Sequence, residues 1–409
     1  MKNIYRYINP TFIALFILII WDALKVYLNL SSPIIQLAVL LPVFLIALLD
    51  NFNNQFMKTI FSRPVSIWLI WIIYVLINTF LINEFMPHRD INPFVLTSAI
   101  VISFSFLLFI INTEATLSEL INVLLWAYFT RLLLSFFFDT TAITGHDFVA
   151  RFGTDFNSNL VGFGALFIII LLLIKKIYTH NIEKIYYLFA VLSIYTIIIS
   201  ASKKTFIALI IVLFGYLFVS REKIFFKNLV KYTVFTCIIS ICVFWVLNNT
   251  SIGLRMIDSY EKTQRARTIE AMFDHRAAQY IIGWETFKNN PINGVGLSNF
   301  VNVSGYSTPL HSEYMVQISE CGLIGVSLFA LFYGYIIKKL ILIRSVFPSS
   351  KKTAEIHLLS ILIMFVLFFG SWIYNNPMMW SLIALAVRFI KEMQEQINNQ
   401  YKSIEVNYS

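Results

Sequence analysis

The chain has 409 residues, 58% of them hydrophobic and 13% charged, with a mean hydropathy of +0.75. Soluble domains carry about 25% charged residues and roughly half apolar ones, so this composition excludes a disordered chain, a disulfide-stapled secreted scaffold and an ordinary soluble enzyme. The net charge of +9 does not point to nucleic acid as a partner. The basic residues recur between apolar runs instead of forming one patch, and membrane insertion places such Lys/Arg flanks on the cytoplasmic side.

A spanning helix needs about 20 mostly apolar residues. In chain order such runs occupy 10–28, 33–49, 64–82, 94–112, 119–138, 159–175, 185–202, 204–220, 231–248, 314–337, 356–374 and 377–390. They predict an all-α, polytopic integral membrane protein of about twelve transmembrane helices. Lys2 and Arg6 precede a first run that is long and lacks a small-x-small cleavage site, so it reads as an uncleaved span. The stretch 185–220 is read as two helices split at Ser200–Lys204, because one helix of that length, at about 1.5 Å per residue, would exceed the bilayer. Cys237, Cys242 and Cys321 fall inside apolar runs and behave there as small hydrophobes, without a disulfide or metal framework.

With the N-terminus inside, most of the 31 Lys and Arg residues flank the short inner loops. Short-loop bias decides topology, so both termini are expected in the cytoplasm. The chain reads as one membrane domain, 1–409. Its longest loop, 249–310 between the ninth and tenth spans, is expected on the extracytoplasmic side. Within that loop Ala277, Ile281, Trp284 and Lys288 share one face at helical spacing. Arg276 lies about 100° around from it, beside Gln279, Tyr280 and Gly283. The expectation is one amphipathic helix on the outer surface with Arg276 toward a polar space. It ends at Asn289-Asn290-Pro291, and Gly294 and Gly296 mark a turn.

Several residues near the outer ends of the spans could carry chemistry. Lys203 and Lys204 read most simply as interfacial anchors whose stems snorkel. They nevertheless run against the positive-inside trend and sit at a helix N-terminus, where the macrodipole opposes them; an anionic ligand would compensate. Arg151 opens Arg-Phe-Gly-Thr-Asp-Phe-Asn-Ser-Asn (151–159), in which Asp155, Asn157, Ser158 or Asn159 either caps the next helix or binds substrate. His311 opens His-Ser-Glu-Tyr; it is an interfacial histidine or, with an imidazole that titrates near neutrality, a general base. Glu313 and Glu320 follow. Glu320, about two turns into the tenth run, is functional or paired with a buried cation such as Arg131 or Lys25. Metal-site motifs such as His-Glu-x-x-His, phosphate loops and dinucleotide fingerprints are absent. Together Lys203, Lys204, Arg151, Arg276 and His311 suit a lipid diphosphate, because Arg and Lys hold phosphate oxygens by charge-assisted bonds. The 39 Phe offer an apolar wall for a lipid tail, which ordinary lipid-facing packing explains equally well.

The stretch Arg276-Ala-Ala-Gln-Tyr-Ile-Ile-Gly-Trp284, followed by Pro291, Gly294-Val-Gly296, His311-Ser-Glu-Tyr-Met315 and Glu320-Cys-Gly322-Leu-Ile-Gly325, resembles the O-antigen ligase and polymerase superfamily of bacterial membrane glycosyltransferases. Arg151–Asn159 is similar to that family's Arg-x-x-Gly…Asn-x-Asn segment, and Ser202-Lys203-Lys204-Thr205 falls where Ser-Arg-Gly is usual. The resemblance covers the chain from Arg151 onward. Ser312 departs from the family's Asn, and Lys203 from its Arg, keeping the charge but losing the bidentate fork.

The resemblance implies a GT-C-like fold and a metal-independent, inverting glycosyl transfer with no cofactor. The donor would be an oligosaccharide on undecaprenyl diphosphate. His311 would deprotonate the acceptor hydroxyl, Arg276 with Lys203 and Lys204 would hold the leaving diphosphate, and Arg151, Asn157, Asn159 and Glu313 would contact substrate. Polymerisation of O-antigen, capsular or exopolysaccharide repeat units, alongside a flippase and a chain-length regulator, is the preferred activity. Ligation of finished glycan to lipid A core is the alternative. From another class, a secondary transporter of twelve spans would have to use Lys25, Arg131 and Glu320 at the midplane.

Overall fold

The computed structural model describes residues 9–28, 38–43, 45, 49, 59–83, 93–138, 158–220, 226–265, 274–306, 308–370 and 376–408, and these contain helices and turns but no strand. The helices are α1 Pro10–Tyr27, α2 Arg63–Ile77, α3 Pro93–Asn112, α4 Leu117–Phe138, α5 Ser158–Thr179, α6 Ile185–Ile199 and α7 Lys203–Ser220. They continue as α8 Phe226–Asn249, α9 Ser251–Arg265, α10 Asp274–Asn289, α11 Phe300–Ser304, α12 Gly322–Val346, α13 Lys351–Leu367 and α14 Pro377–Tyr408.

The protein is an all-α polytopic membrane protein. Six stretches among the described residues are long and apolar enough to cross a bilayer: Arg63–Ile82, Leu117–Phe137, Asn159–Thr179, Lys203–Ser220, Gly322–Val346 and Pro348–Gly370. A seventh is added if Thr236–Asn249 and Ile252–Asp258, bent by 78° at a short break, count as one span. Pro10–Trp21, Ile102–Asn112 and Ile185–Ile199 are shorter apolar helices. The apolar run at 33–49 lies largely outside the described residues.

The core is continuous because neighbouring helices are apolar on the sides that meet. Helix α5 is central and packs against α4, α6, α7 and α13, while α14 lies on α3, and α2 on α12. One aromatic cluster joins three of these elements. Trp68 stacks on Trp71 with centroids 4.3 Å apart and meets Trp380 at 4.5 Å and Phe332 at 5.2 Å. Buried indole N–H groups need partners; Trp68 donates to Ser103 (3.2 Å) and Trp71 to Gln317 (3.1 Å).

Two local features differ from the sequence expectation. The 249–310 segment holds α9 as well as α10, so its helical content exceeds the single helix expected. The apolar run at 314–337 is also not one helix. A turn at Glu313–Met315 passes into a π-helical turn at Val316–Glu320, the chain breaks at Cys321, and a regular helix resumes at Gly322 and runs to Val346. Gly322 has φ +63, a conformation that ends a helix and that glycine adopts at little cost. The split at Ser200–Lys204 is present: α6 stops at Ile199, Ala201 takes φ +48, and α7 starts at Lys203.

Candidate functional site

The break between α6 and α7 is held by the first turn of α5. The Ser202 hydroxyl donates to Asn159 Oδ1 at 3.0 Å and lies 2.8 Å from the Thr205 hydroxyl. Gly162 permits this approach, since a Cβ there would lie 2.8 Å from Ser200 Oγ. Asn159 therefore neighbours the Ser202-Lys203-Lys204 segment. Both lysines are half-buried in the first turn of α7. Lys204 donates to the Gly370 carbonyl and sits over the Phe163 ring, 4.8 Å from its centroid. That carbonyl gives the ammonium a partner against the unfavourable helix dipole.

The Pro291–Gly296 turn interlocks with the break before α12. Val295 N–H donates to the Ser319 carbonyl (3.0 Å), Gly296 N–H to that of Glu320 (2.9 Å), and Leu323 N–H to that of Pro291 (2.9 Å). Two glycines make this possible. A Cβ on Gly294 would fall 2.5 Å from the Glu320 carbonyl, and one on Gly322 would fall 2.4 Å from the Gly294 nitrogen. Asn78 donates to the Asn293 carbonyl (2.7 Å) and Tyr74 to that of Cys321 (2.7 Å), fastening the turn to the end of α2. Glu320 belongs to the same knot. Its carboxylate is buried and accepts the Ser298 N–H at 2.8 Å and the Phe300 N–H, at the start of α11. It is spent on loop backbone; the pairing with Arg131 or Lys25 that its position suggested is not needed to satisfy it. Arg131 is buried between α4 and α5, near Gly164.

Gln279 ties helix α10 to the His311 segment. Gln279, 4% exposed, donates to Thr308 Oγ1 and to the Pro309 carbonyl, both at 2.9 Å, and accepts the His311 N–H at 3.3 Å. Gly283, one turn on, faces Leu310, Met315 and Ser319. The packed strip of α10 is thus the one that includes Gln279 and Gly283, while Ile281 and Trp284 are 44% and 47% exposed. Arg276 is described by its backbone; it lies in the first turn of α10, three residues before Gln279 and so on the same side of the helix.

His311 itself is exposed. The next residue, Ser312, is 3% exposed, and its hydroxyl has no hydrogen-bond partner among the described residues. Glu313 is fully buried and accepts from Gln317 at 2.8 Å, so its carboxylate is tied into the Trp71 network. Arg151 and Asn157 lie outside the described residues.

The three sequence-distant parts meet at one turn, Phe368–Gly370, which follows α13. Tyr280 of α10 donates to the Phe369 carbonyl at 2.9 Å, Lys204 of α7 donates to the Gly370 carbonyl, and Tyr314 donates to the Phe365 carbonyl at 2.9 Å. The Tyr314 ring also lies 4.9 Å from the Phe369 ring. Below Tyr314 a mostly apolar groove of about 390 Å³ runs between α12 and α13, lined by Tyr314, Phe329, Tyr333, Gly334 and Phe365. Sequence reasoning missed Gln279, Tyr280, Tyr314 and this turn. The first two share the side of α10 that carries Arg276, and Tyr314 lies inside the His311 motif. The turn acts through backbone carbonyls, which leave no residue-type signal.

Among the described residues no group of three or more His, Cys, Asp or Glu is placed to hold a metal ion. Residues 188–330 match the family model described as O-antigen ligase. The matched segment contains Lys203, Lys204, Arg276 and His311 but not Arg151–Asn159, so it is narrower than the resemblance expected from the motifs. No curated protein matches the chain.

Proposed function

We propose that this chain, whose residues 188–330 match the family model described as O-antigen ligase, is a glycosyltransferase that extends glycans on undecaprenyl diphosphate. The observation that carries the reading is the convergence of Lys204, the Arg276 helix and the His311 segment on the end of α13 and the Phe368–Gly370 turn. In this reading the bundle has about twelve spans with both termini in the cytoplasm, and the 249–310 loop covers a site on the extracytoplasmic side of the inner membrane.

His311 accepts the proton of an acceptor hydroxyl as that oxygen attacks the anomeric carbon. The bond from this carbon to the diphosphate oxygen breaks with inversion, and the electron pair leaves with the undecaprenyl diphosphate. Arg276, Lys203 and Lys204 hold the phosphate oxygens, which carry the negative charge that develops. No metal and no cofactor takes part. The leaving group is already a stabilised anion, so positioning and electrostatics supply most of the acceleration. The groove below Tyr314 suits the first isoprene units of the carrier. Arg151, Asn157, Asn159 and Glu313 contact the substrate.

Polymerisation of repeat units is preferred over ligation, because polymerases are the more divergent branch and this chain departs from the motif at Lys203 and Ser312. The description of the matched family keeps ligation to lipid A core as the second reading. Deletion in the host separates them: single repeats on the core indicate a lost polymerase, and long chains stranded on the carrier indicate a lost ligase. Purified protein given a lipid-diphosphate oligosaccharide should release carrier and lengthen chains. His311→Ala and Arg276→Ala should each abolish this with membrane insertion intact; wild-type chain lengths from either variant would remove that residue from the mechanism.

A further inference from the structure

A second cavity lies at the other end of the bundle from His311. Its volume is about 650 Å³, and it is bounded by the start of α2, the lower part of α12 and the middle of α14. Gly322 and Lys339 on α12, or Asn78 and Arg63 at the two ends of α2, are separated by about 20–25 Å of helix axis, which sets the cavity near the opposite membrane surface.

Three cations line it: Arg63, Lys339 and Lys391. Among the described residues none of them is joined to a carboxylate in an ion pair. Lys391 donates to the Ile111 carbonyl at 3.1 Å, one bond for an ammonium with three N–H groups. Lys339 lies 5.8 Å from the centre of the Tyr335 ring. Helix α2 also opens onto the cavity with its positive end. The Ser62 hydroxyl donates to the Thr59 carbonyl at 2.6 Å instead of capping the helix, so the amides of that first turn receive no side-chain acceptor. Glu395 is the one acidic lining residue. Burial and the neighbouring Arg388 push the Lys391 ammonium below its usual range, an unfavourable charge that a nearby anion would relieve.

The apolar lining shows which anion. Ile111, Pro64, Val387 and Ile390 form part of the wall, and Phe61, 72% exposed, stands at the same site. A soluble phosphate has no use for that surface, whereas a lipid presents phosphate and acyl chain together. We propose that this cavity binds the headgroup of an anionic phospholipid from the leaflet opposite His311, with Arg63, Lys339 and Lys391 around the phosphate and the apolar wall against the first acyl carbons. The volume falls in the ~300–1,000 Å³ range of small-molecule sites, and basic pockets between transmembrane helices are a known form of lipid headgroup site. The site stands whether or not the proposed reaction is right.

The test is native mass spectrometry of the full chain in detergent, titrated with phosphatidylglycerol, phosphatidylcholine or inorganic phosphate. The wild-type protein should retain phosphatidylglycerol in preference to phosphatidylcholine. Arg63→Gln with Lys339→Gln should reduce that preference roughly tenfold or more, as expected for two charges at a membrane surface. This pair leaves the Lys391 bond to α3 intact, and thermal unfolding in detergent confirms folding. If the pair nevertheless unfolds, the wild-type preference should itself collapse as salt rises. Equal retention of the two lipids, an undiminished preference in the folded variant, a salt-independent preference, or displacement of phosphatidylglycerol by millimolar inorganic phosphate would each overturn the proposal.

Discussion

Replacing Gln279 by methionine would remove hydrogen bonds while keeping most of the side-chain volume, so little cavity energy is mixed into the result. Three bonds are lost: two donated at 2.9 Å to Thr308 and Pro309, and one accepted at 3.3 Å from His311. A neutral bond contributes about 0.5–1.5 kcal/mol net, so the sum is roughly 2–3 kcal/mol after discounting the longest. Gln279 is 4% exposed, so water is poorly placed to replace them. The loss falls on the hydrogen bonds that set the Arg276 helix against the His311 backbone. A shift of about 1 Å between catalytic groups costs about 10² in rate. Gln279→Met should therefore stay folded and inserted, and lose about two orders of magnitude in chain extension on a lipid-diphosphate oligosaccharide. Addition rate is read from the product ladder and folding from thermal unfolding in detergent. A folded Gln279→Met protein with wild-type turnover would refute the idea that this side chain positions the site.

Gly294→Ala combines a φ of +68 with a Cβ 2.5 Å from the Glu320 backbone, whereas Gly305→Ala has a similar φ, +67, in open space. The first should cost about 3 kcal/mol or more and the second about 1 kcal/mol, which thermal unfolding of the two variants will compare. Lys204→Met removes a cation and its bond to Gly370; donor KM should rise by about tenfold with insertion unchanged, and an unaltered KM would take Lys204 out of the diphosphate site. Burial pushes the Glu320 carboxyl up to about 8, so it is largely neutral at pH 7, and Glu320→Gln, which keeps an acceptor oxygen for the same backbone amides, should cost about 1 kcal/mol or less in stability. The folded fraction should still extend chains, because the carboxyl group serves Ser298 and Phe300; a stable but inactive variant would give Glu320 a part in the reaction beyond holding this loop.

The membrane class, most helix positions and the resemblance that residues 188–330 carry were legible in the chain itself. Each rests on a signal that is local in sequence: about 20 apolar residues in a row, the placement of Lys and Arg, and short motifs such as Pro291–Gly296 and Glu320–Gly322. The break at Ser200–Lys204 was legible for the same reason, because bilayer thickness limits helix length. The late start of α12 was not, since a run of apolar residues does not reveal that Gly322 must take a positive φ to let two backbones pass. The role of Glu320 was hidden as well. A carboxylate next to a span resembles a buried functional charge until the amides of Ser298 and Phe300 are found in front of it. Only the tertiary structure decided how the site is assembled. Tyr280, Lys204 and Tyr314 converge on carbonyls of residues 365–370, and every residue has a carbonyl, so composition and spacing carry no trace of which ones will be used. Helix formation depends on neighbours along the chain, whereas that convergence depends on how α7, α10 and α13 pack against one another.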